Sequence, residues 1–101
     1  MLPKKRPPTH PGEMLLKEFL EPKNISQKAF AKYLGWTYAR LNEIIHGKRN
    51  LTAESVLCLA EAFNMEPEFW LHLQKNWDLW QANQHHRKLK PLKLFLTKKL
   101  V

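Results

Sequence analysis

The sequence predicts an all-α domain of five helices, closed by either a short C-terminal strand or an extended tail. Three observations predict it. Pro11, Gly35, Gly47, Thr52 and Pro67 cut the chain into segments of helical length. Within each segment apolar residues recur at three- and four-residue spacing. No strong strand pattern, repeat or low-complexity linker occurs before residue 88. At 101 residues the chain can bury one modest core. The expected organisation is a basic arm at residues 1–9, a compact domain at 10–84 and a basic, Leu-rich tail at 85–101.

The first helix begins near Pro11, a favoured first-turn residue with acidic Glu13 behind it, and ends before Pro22. Met14, Leu15 and Phe19, with Leu16 beside them, are its inner stripe. Asn24 or Ser26 begins the second helix, which closes at Gly35. The third runs from about Tyr38 to His46 and stops at Gly47. Thr52 caps the fourth, with Ser55 in its first turn and Asn64 at its end, and Leu57, Leu59, Ala60 and Phe63 are expected to pack inward. Pro67 opens the fifth, which continues through Trp80 and on towards Gln84; Pro91 breaks anything beyond. Phe69, Trp70, Leu73, Trp77 and Trp80 give the fifth helix a broad aromatic face. Phe69 and Leu73 are expected in the core. Trp77 and Trp80 lie past it and are candidates for a dimer or partner surface, where large aromatics concentrate. Leu92, Leu94 and Leu96 share one side of the alternating tail, which suits a strand that needs a partner.

Residues 27–49, QKAFAKYLGWTYARLNEIIHGKR, carry the most information. Phe30, Leu34, Leu41 and Ile44 face inward at helical spacing, and small Ala31 lets two helices approach closely. Gly35, ninth in the stretch, supplies a left-handed turn, and Thr37 can cap the helix that follows. Tyr38, Ala39, Arg40, Asn42 and Glu43 are left on the outside. This is a helix-turn-helix, with a short second helix whose polar N-terminal end suits the DNA major groove. Arg40 can make a bidentate contact to guanine. Asn42 can reach adenine, or lie at the helix flank beside inward Leu41. Tyr38 can pack on a thymine methyl or bond a phosphate. Glu43 can accept from cytosine, or orient Arg40 three residues away. The backbone amide of Gln27 opens a helix and can bind phosphate, with Lys28 adding charge.

The net charge of +8 is segregated. Residues 23–50 carry six basic residues against Glu43 alone, whereas residues 51–84 carry Lys75 against five acids. Residues 11–22 are also acidic, with Glu13, Glu18 and Glu21 against Lys17; both ends of the chain are basic and hold no acid. The positive charge therefore surrounds the reading segment, as a phosphate-facing surface requires, and the acidic helices form a different surface. Hydrophobic content of 44% with 26% charged residues is that of a globular protein. No apolar run approaches the roughly 20 residues of a membrane helix, and the N-terminus has no apolar signal core. Cys58 has no partner for an internal disulfide and sits in an apolar pattern that suits a core thiol. A cytoplasmic location is expected. His10, His46, His72, His85 and His86 have no metal-ligand spacing, and the chain has no Gly-rich phosphate loop, serine elbow or paired-carboxylate motif. Neither catalysis, a metal nor a cofactor is expected.

HPGEMLLKEFL, SQKAFAKYLGW, IIHGKRNLT and PEFWLHLQKNWDLW together resemble the HigA antitoxins, also called virulence-associated protein I, within the Cro/repressor-type helix-turn-helix class. The resemblance covers about residues 10 to 80. Its specific parts are His10-Pro11-Gly12-Glu13 and Pro67-Glu68-Phe69-Trp70-Leu71 with Leu73-Gln74. It implies a compact, lambda-repressor-like five-helix domain acting as a homodimer. It further implies binding to double-stranded operator DNA of the protein's own operon, and silencing of a HigB-type ribonuclease toxin. By resemblance Gln27 and Thr37 contact phosphate, Tyr38, Ala39, Arg40 and Glu43 face the bases, and Lys48 and Arg49 lie in a backbone-contacting loop. Trp36 replaces a usually smaller aliphatic residue, and the Leu-rich tail is not part of the family signature.

A toxin that handles RNA is expected, by the same resemblance, to be basic. The helix-one acids Glu13, Glu18 and Glu21 are then the candidate toxin surface, with the acids of helices four and five as the competing location. A plain repressor of the same fold with no toxin partner is the alternative function. A module that binds membrane surfaces or RNA through the basic C-terminus ranks last, because acids dominate the helices before it.

Overall fold

The five helices follow from their end signals, and four of them close in the same way. The computed structural model describes residues 6–93. Helix α1 opens at Pro11–Met14 and runs straight into a wider, π-helical stretch, Leu15–Leu20. Helices α2 (Gln27–Leu34), α3 (Tyr38–Ile45), α4 (Ala53–Ala62) and α5 (Pro67–His85) follow. At the end of α1 the Ile25 amide bonds to the Leu20 carbonyl, and at α2 the Trp36 amide bonds to Ala31, each at 2.9 Å. At α3 Lys48 bonds to Glu43 at 2.8 Å, and at α4 Met65 bonds to Ala60 at 2.9 Å. The residue before each of these donors takes a positive φ: Asn24, Gly35, Gly47 and Asn64. This is the Schellman closure, which satisfies orphan carbonyls and needs the glycine or asparagine that stands there.

The N-termini are equally local. Ser26, Thr37 and Thr52 each accept from the backbone amide three residues on, at 3.0, 3.1 and 3.2 Å. Of the two expected starts for α2, Ser26 is the cap; Asn24 instead takes the left-handed turn that ends α1. The cap of α1 was not legible: His10 accepts the Gly12 amide on Nδ1 at 2.9 Å.

The core is a single cluster that draws on every helix: Leu15, Leu20, Phe30, Ala31, Leu41, Ile44, Ile45, Val56, Leu59, Ala60 and Trp70, with Leu51 from the α3–α4 loop. Leu15 and Leu20 are fully buried, contributing about 1.5–3 kcal/mol each. Leu20 is absent from the expected stripe for a geometric reason. In an α-helix, residues five apart point about 140° away from each other. The π-helical turn replaces four-residue with five-residue closure, as in the Glu21 amide bonding to Leu16, and brings Leu15 and Leu20 onto one face. Phe19, Phe63 and Trp70 form an aromatic knot, with Phe19 centroids 4.7 Å from Phe63 and 5.1 Å from Trp70.

Three other core expectations are corrected. Leu57 is 51% exposed and the neighbouring Val56 is buried instead, so α4 turns the adjacent face to the core. Phe69 is partly exposed, while Trp70 is the fully buried aromatic of α5. Cys58 is half-buried rather than a core thiol. Helix α5 reaches His85, slightly beyond the expected domain edge at residue 84. Leu92 is exposed and in no regular element, and Leu94 and Leu96 lie outside the described residues, so a strand through Leu92 is not formed at its start. No described helix is long and apolar enough to cross a membrane.

Buried Gln74 ties the loop after α3 to α5. Its Oε1 accepts the Leu51 amide at 2.7 Å, and its Nε2 donates to Asp78 at 2.9 Å. The Leu51 amide is buried with no helical partner, so the side chain supplies the acceptor it needs.

Candidate nucleic-acid interface

Helices α2 and α3 meet across the three-residue turn Gly35–Trp36–Thr37, with Ala31, Leu41 and Ile44 buried between them. That packing leaves the N-terminal end of α3 facing outward: Tyr38 and Ala39 are exposed and Arg40 is half-buried. Beside them lie Gln27 and Lys28 at the start of α2. Ser26, Gln27, Lys28 and Tyr38 line one shallow surface depression. Past the other end of α3, Lys48 and Arg49 are exposed in the loop. The starts of α2 and α3 therefore share one exposed surface, and the exposed basic loop of Lys48 and Arg49 follows the far end of α3.

Their individual roles separate in the structure. Asn42 donates from Nδ2 to Gln27 Oε1 at 3.0 Å. It links α3 to the start of α2. Glu43 does not orient Arg40. Its Oε1 accepts from Arg49, 2.9 Å from Nε and 2.7 Å from Nη2. Both side chains of that pair are about half exposed, so the pair fixes geometry more than stability. Thr37 is the cap of α3; its hydroxyl proton is left to donate outward, as a phosphate contact requires.

Arg40 has an environment that sequence spacing did not reveal. Its guanidinium lies over the Trp36 ring, with Cζ 4.0 Å from the centroid. Nη2 donates to Ser55 Oγ at 2.9 Å and lies 4.0 Å from Glu54 Oε1. The Glu54 carboxylate is mostly solvated and adds little. The indole face contributes about 1 kcal/mol as a cation–π contact. Trp36, a departure in the sequence pattern, is thus the platform for Arg40.

The acids of the first helix lie on a different element from the reading motif. Glu13, Glu18 and Glu21 are exposed on and just after α1. Trp77 is half-buried against the domain's own chain, edge-on to His10 at 4.8 Å, and Trp80 packs on Trp77 at 5.5 Å. Part of the expected partner surface is therefore used to dock α5 on the start of α1, and both rings keep only a minor exposed part. Pro7, Pro8 and Thr9 line a surface cavity beside His10, Glu13 and Trp77. Among the described residues no three His, Cys, Asp or Glu side chains converge on a metal position.

The helix-turn-helix family profile matches residues 16–70. The chain belongs to the helix-turn-helix family. Within that family it groups with the HigA antitoxins and virulence-associated proteins. It is 40% identical over 92 residues to antitoxin HigA-1 of Vibrio cholerae, covering 87% of each chain. It is also 40% identical over 78 residues to virulence-associated protein I of Dichelobacter nodosus, covering 77% of this chain and 72% of that one. Among solved structures, the antitoxin HigA of Pseudomonas aeruginosa with the higBA promoter superposes with a TM-score of 0.77 at 32% identity, covering 84% and 98%. The helix-turn-helix assignment gives α2 and α3 their places as the supporting and reading helices of the motif.

Proposed function

We propose that this protein is a sequence-specific DNA-binding antitoxin that represses its own operon and neutralises a HigB-type ribonuclease toxin. The observation that carries the reading is the exposed start of α3 beside Gln27 and Lys28, on a chain akin to a HigA solved with promoter DNA. Tyr38, Ala39 and Arg40 face the bases. Gln27, Lys28, Thr37, Lys48 and Arg49 face the sugar-phosphate backbone, Asn42 bonds Gln27, and the Glu43 carboxylate offsets part of the charge of Arg49. One such helix reads only a few base pairs, so two copies on a palindrome supply the specificity, paired through the exposed parts of Trp77 and Trp80 and the Leu92–Leu96 segment. The acids of α1 lie outside the DNA face and leave a surface for a basic toxin. The protein acts in the cytoplasm, beside its operon, and performs no catalytic step.

The test is paired. The purified protein is titrated onto the DNA directly upstream of its own reading frame and onto random DNA of the same length. In parallel, it is co-expressed with the product of the adjacent reading frame and pulled down. Preferential binding upstream and recovery of a small basic partner are expected. Equal binding to both DNAs would remove the repressor role. Upstream binding with no captured partner would remove the antitoxin role and leave a plain repressor.

A further inference from the structure

Trp36 and Ser55 restrain Arg40 in two independent ways. The indole of Trp36 lies under the guanidinium, with Cζ 4.0 Å from the ring centroid, and so restricts the plane of the fork. Ser55, 1% exposed in the first turn of α4, accepts a hydrogen bond from Nη2 at 2.9 Å and so restricts rotation within that plane. Ser55 is itself fixed, because its hydroxyl lies 3.1 Å from that of Thr52, the cap of α4. Arg40 remains 28% exposed, and its fork has five N–H groups, of which one is used by Ser55.

We infer that Trp36 and Ser55 are specificity-determining positioning residues, which orient Arg40 in advance for one base pair of the operator. Neither needs to touch DNA. An unrestrained arginine samples many rotamers and can satisfy a phosphate as readily as a base edge. A bidentate contact to guanine O6 and N7 requires one orientation of the fork, and a side chain already held near it gives up less freedom on binding. Discrimination at that base pair is thereby set by the turn and by α4 as well as by the reading helix. The inference rests on the DNA-binding role proposed above.

The experiment measures affinity for the upstream fragment and for a panel in which each base pair of the bound site is changed singly. Arg40→Ala is expected to erase discrimination at one base pair, which identifies its target. Trp36→Leu and Ser55→Ala are expected to weaken discrimination at that same pair by about tenfold, within the range a bidentate contact supplies. Discrimination elsewhere and the dependence on salt should stay as in the parent. Trp36→Phe, which keeps an aromatic face, should retain most of it, and Trp36→Leu should add nothing in an Arg40→Ala background. If Ser55→Ala does not fold, the Trp36→Leu and Trp36→Phe pair in the turn decides the matter. Parental or improved discrimination in Trp36→Leu, with Arg40→Ala still relaxing one base pair, would overturn the positioning role alone. If Arg40→Ala relaxes no base pair, the base-reading role and the positioning role both fall.

Discussion

The Ile44 carbonyl occupies the space where a side chain on Gly12 would begin. A Cβ at Gly12 would come within 1.7 Å of Ile44 O and 2.8 Å of Ile45 Cα. Helix α1 therefore crosses the end of α3 backbone against backbone, and the reading helix is seated on the first turn of the chain's first helix. Neither set of atoms is a flexible side chain, so neither can yield. Gly12→Ala is expected to destabilise the fold by about 3 kcal/mol, the upper end of the usual overpacking cost. Thermal unfolding should show a fall in Tm of more than about 10 °C. A Tm within a few degrees of the parent would mean that α1 and α3 are spaced more loosely.

His10 makes stability depend on pH. Burial pushes its imidazole below the ordinary value of 6.5, partly offset by the Asn50 side chain and the Asp78 and Glu13 carboxylates, which favour the charged form. The unfolded chain then takes up a proton near pH 6.5 that the folded chain resists. The stability His10 contributes is fully present above 6.5 and is lost as pH falls below it towards the lower folded value. Protonation would also remove the Nδ1 acceptor that caps α1. Urea unfolding at pH 7.5 and pH 5.5 should show a drop that is smaller in His10→Asn, which keeps a capping oxygen but does not titrate. An equal drop in both proteins would assign the pH dependence to other groups.

The pair of Glu43 and Arg49 sets how much positive charge the loop offers to DNA. Glu43→Gln keeps the side chain's size but releases Arg49 from a carboxylate 2.7 Å away. Affinity for random DNA should rise, and the slope of log affinity against log salt should steepen by about one unit. Lys48→Ala should do the reverse, weakening specific and random binding alike and flattening the slope by about one unit. An unchanged slope in both variants would place this loop away from the phosphates.

Reversing Glu13, Glu18 and Glu21 to Lys together tests the toxin surface. These exposed acids lie on and just after α1, a different helix from α2 and α3. Toxin association should slow and become less salt-dependent, while operator binding persists, because charge complementarity acts chiefly on the encounter rate. A rate and salt dependence equal to the parent's would move the docking surface to the acids of α4 and α5.

The amino-acid sequence by itself determined most of the helix ends and the turn of the reading motif. Ser26, Thr37 and Thr52 bond to amides three residues away, and Gly35, Gly47 and Asn64 turn the chain where no other residue type does so cheaply. These signals act within about six residues, so they survive without knowledge of the fold. The inward positions Phe30, Leu41 and Ile44 were legible for the same reason, since helical spacing assigns them one face. Tertiary structure decided the rest. The π-helical turn that buries Leu20, the burial of Trp70 rather than Phe69, and the outward turn of Leu57 all depend on how helices cross. Partner choice within the site depends on it too. Sequence spacing offers Glu43 to Arg40, yet Glu43 holds Arg49, while Arg40 reaches Ser55 fifteen positions away and Asn42 reaches Gln27 across the same separation. A long polar side chain has many acceptors within its reach. Which one it takes is fixed only when packing brings two helices to a particular distance and angle.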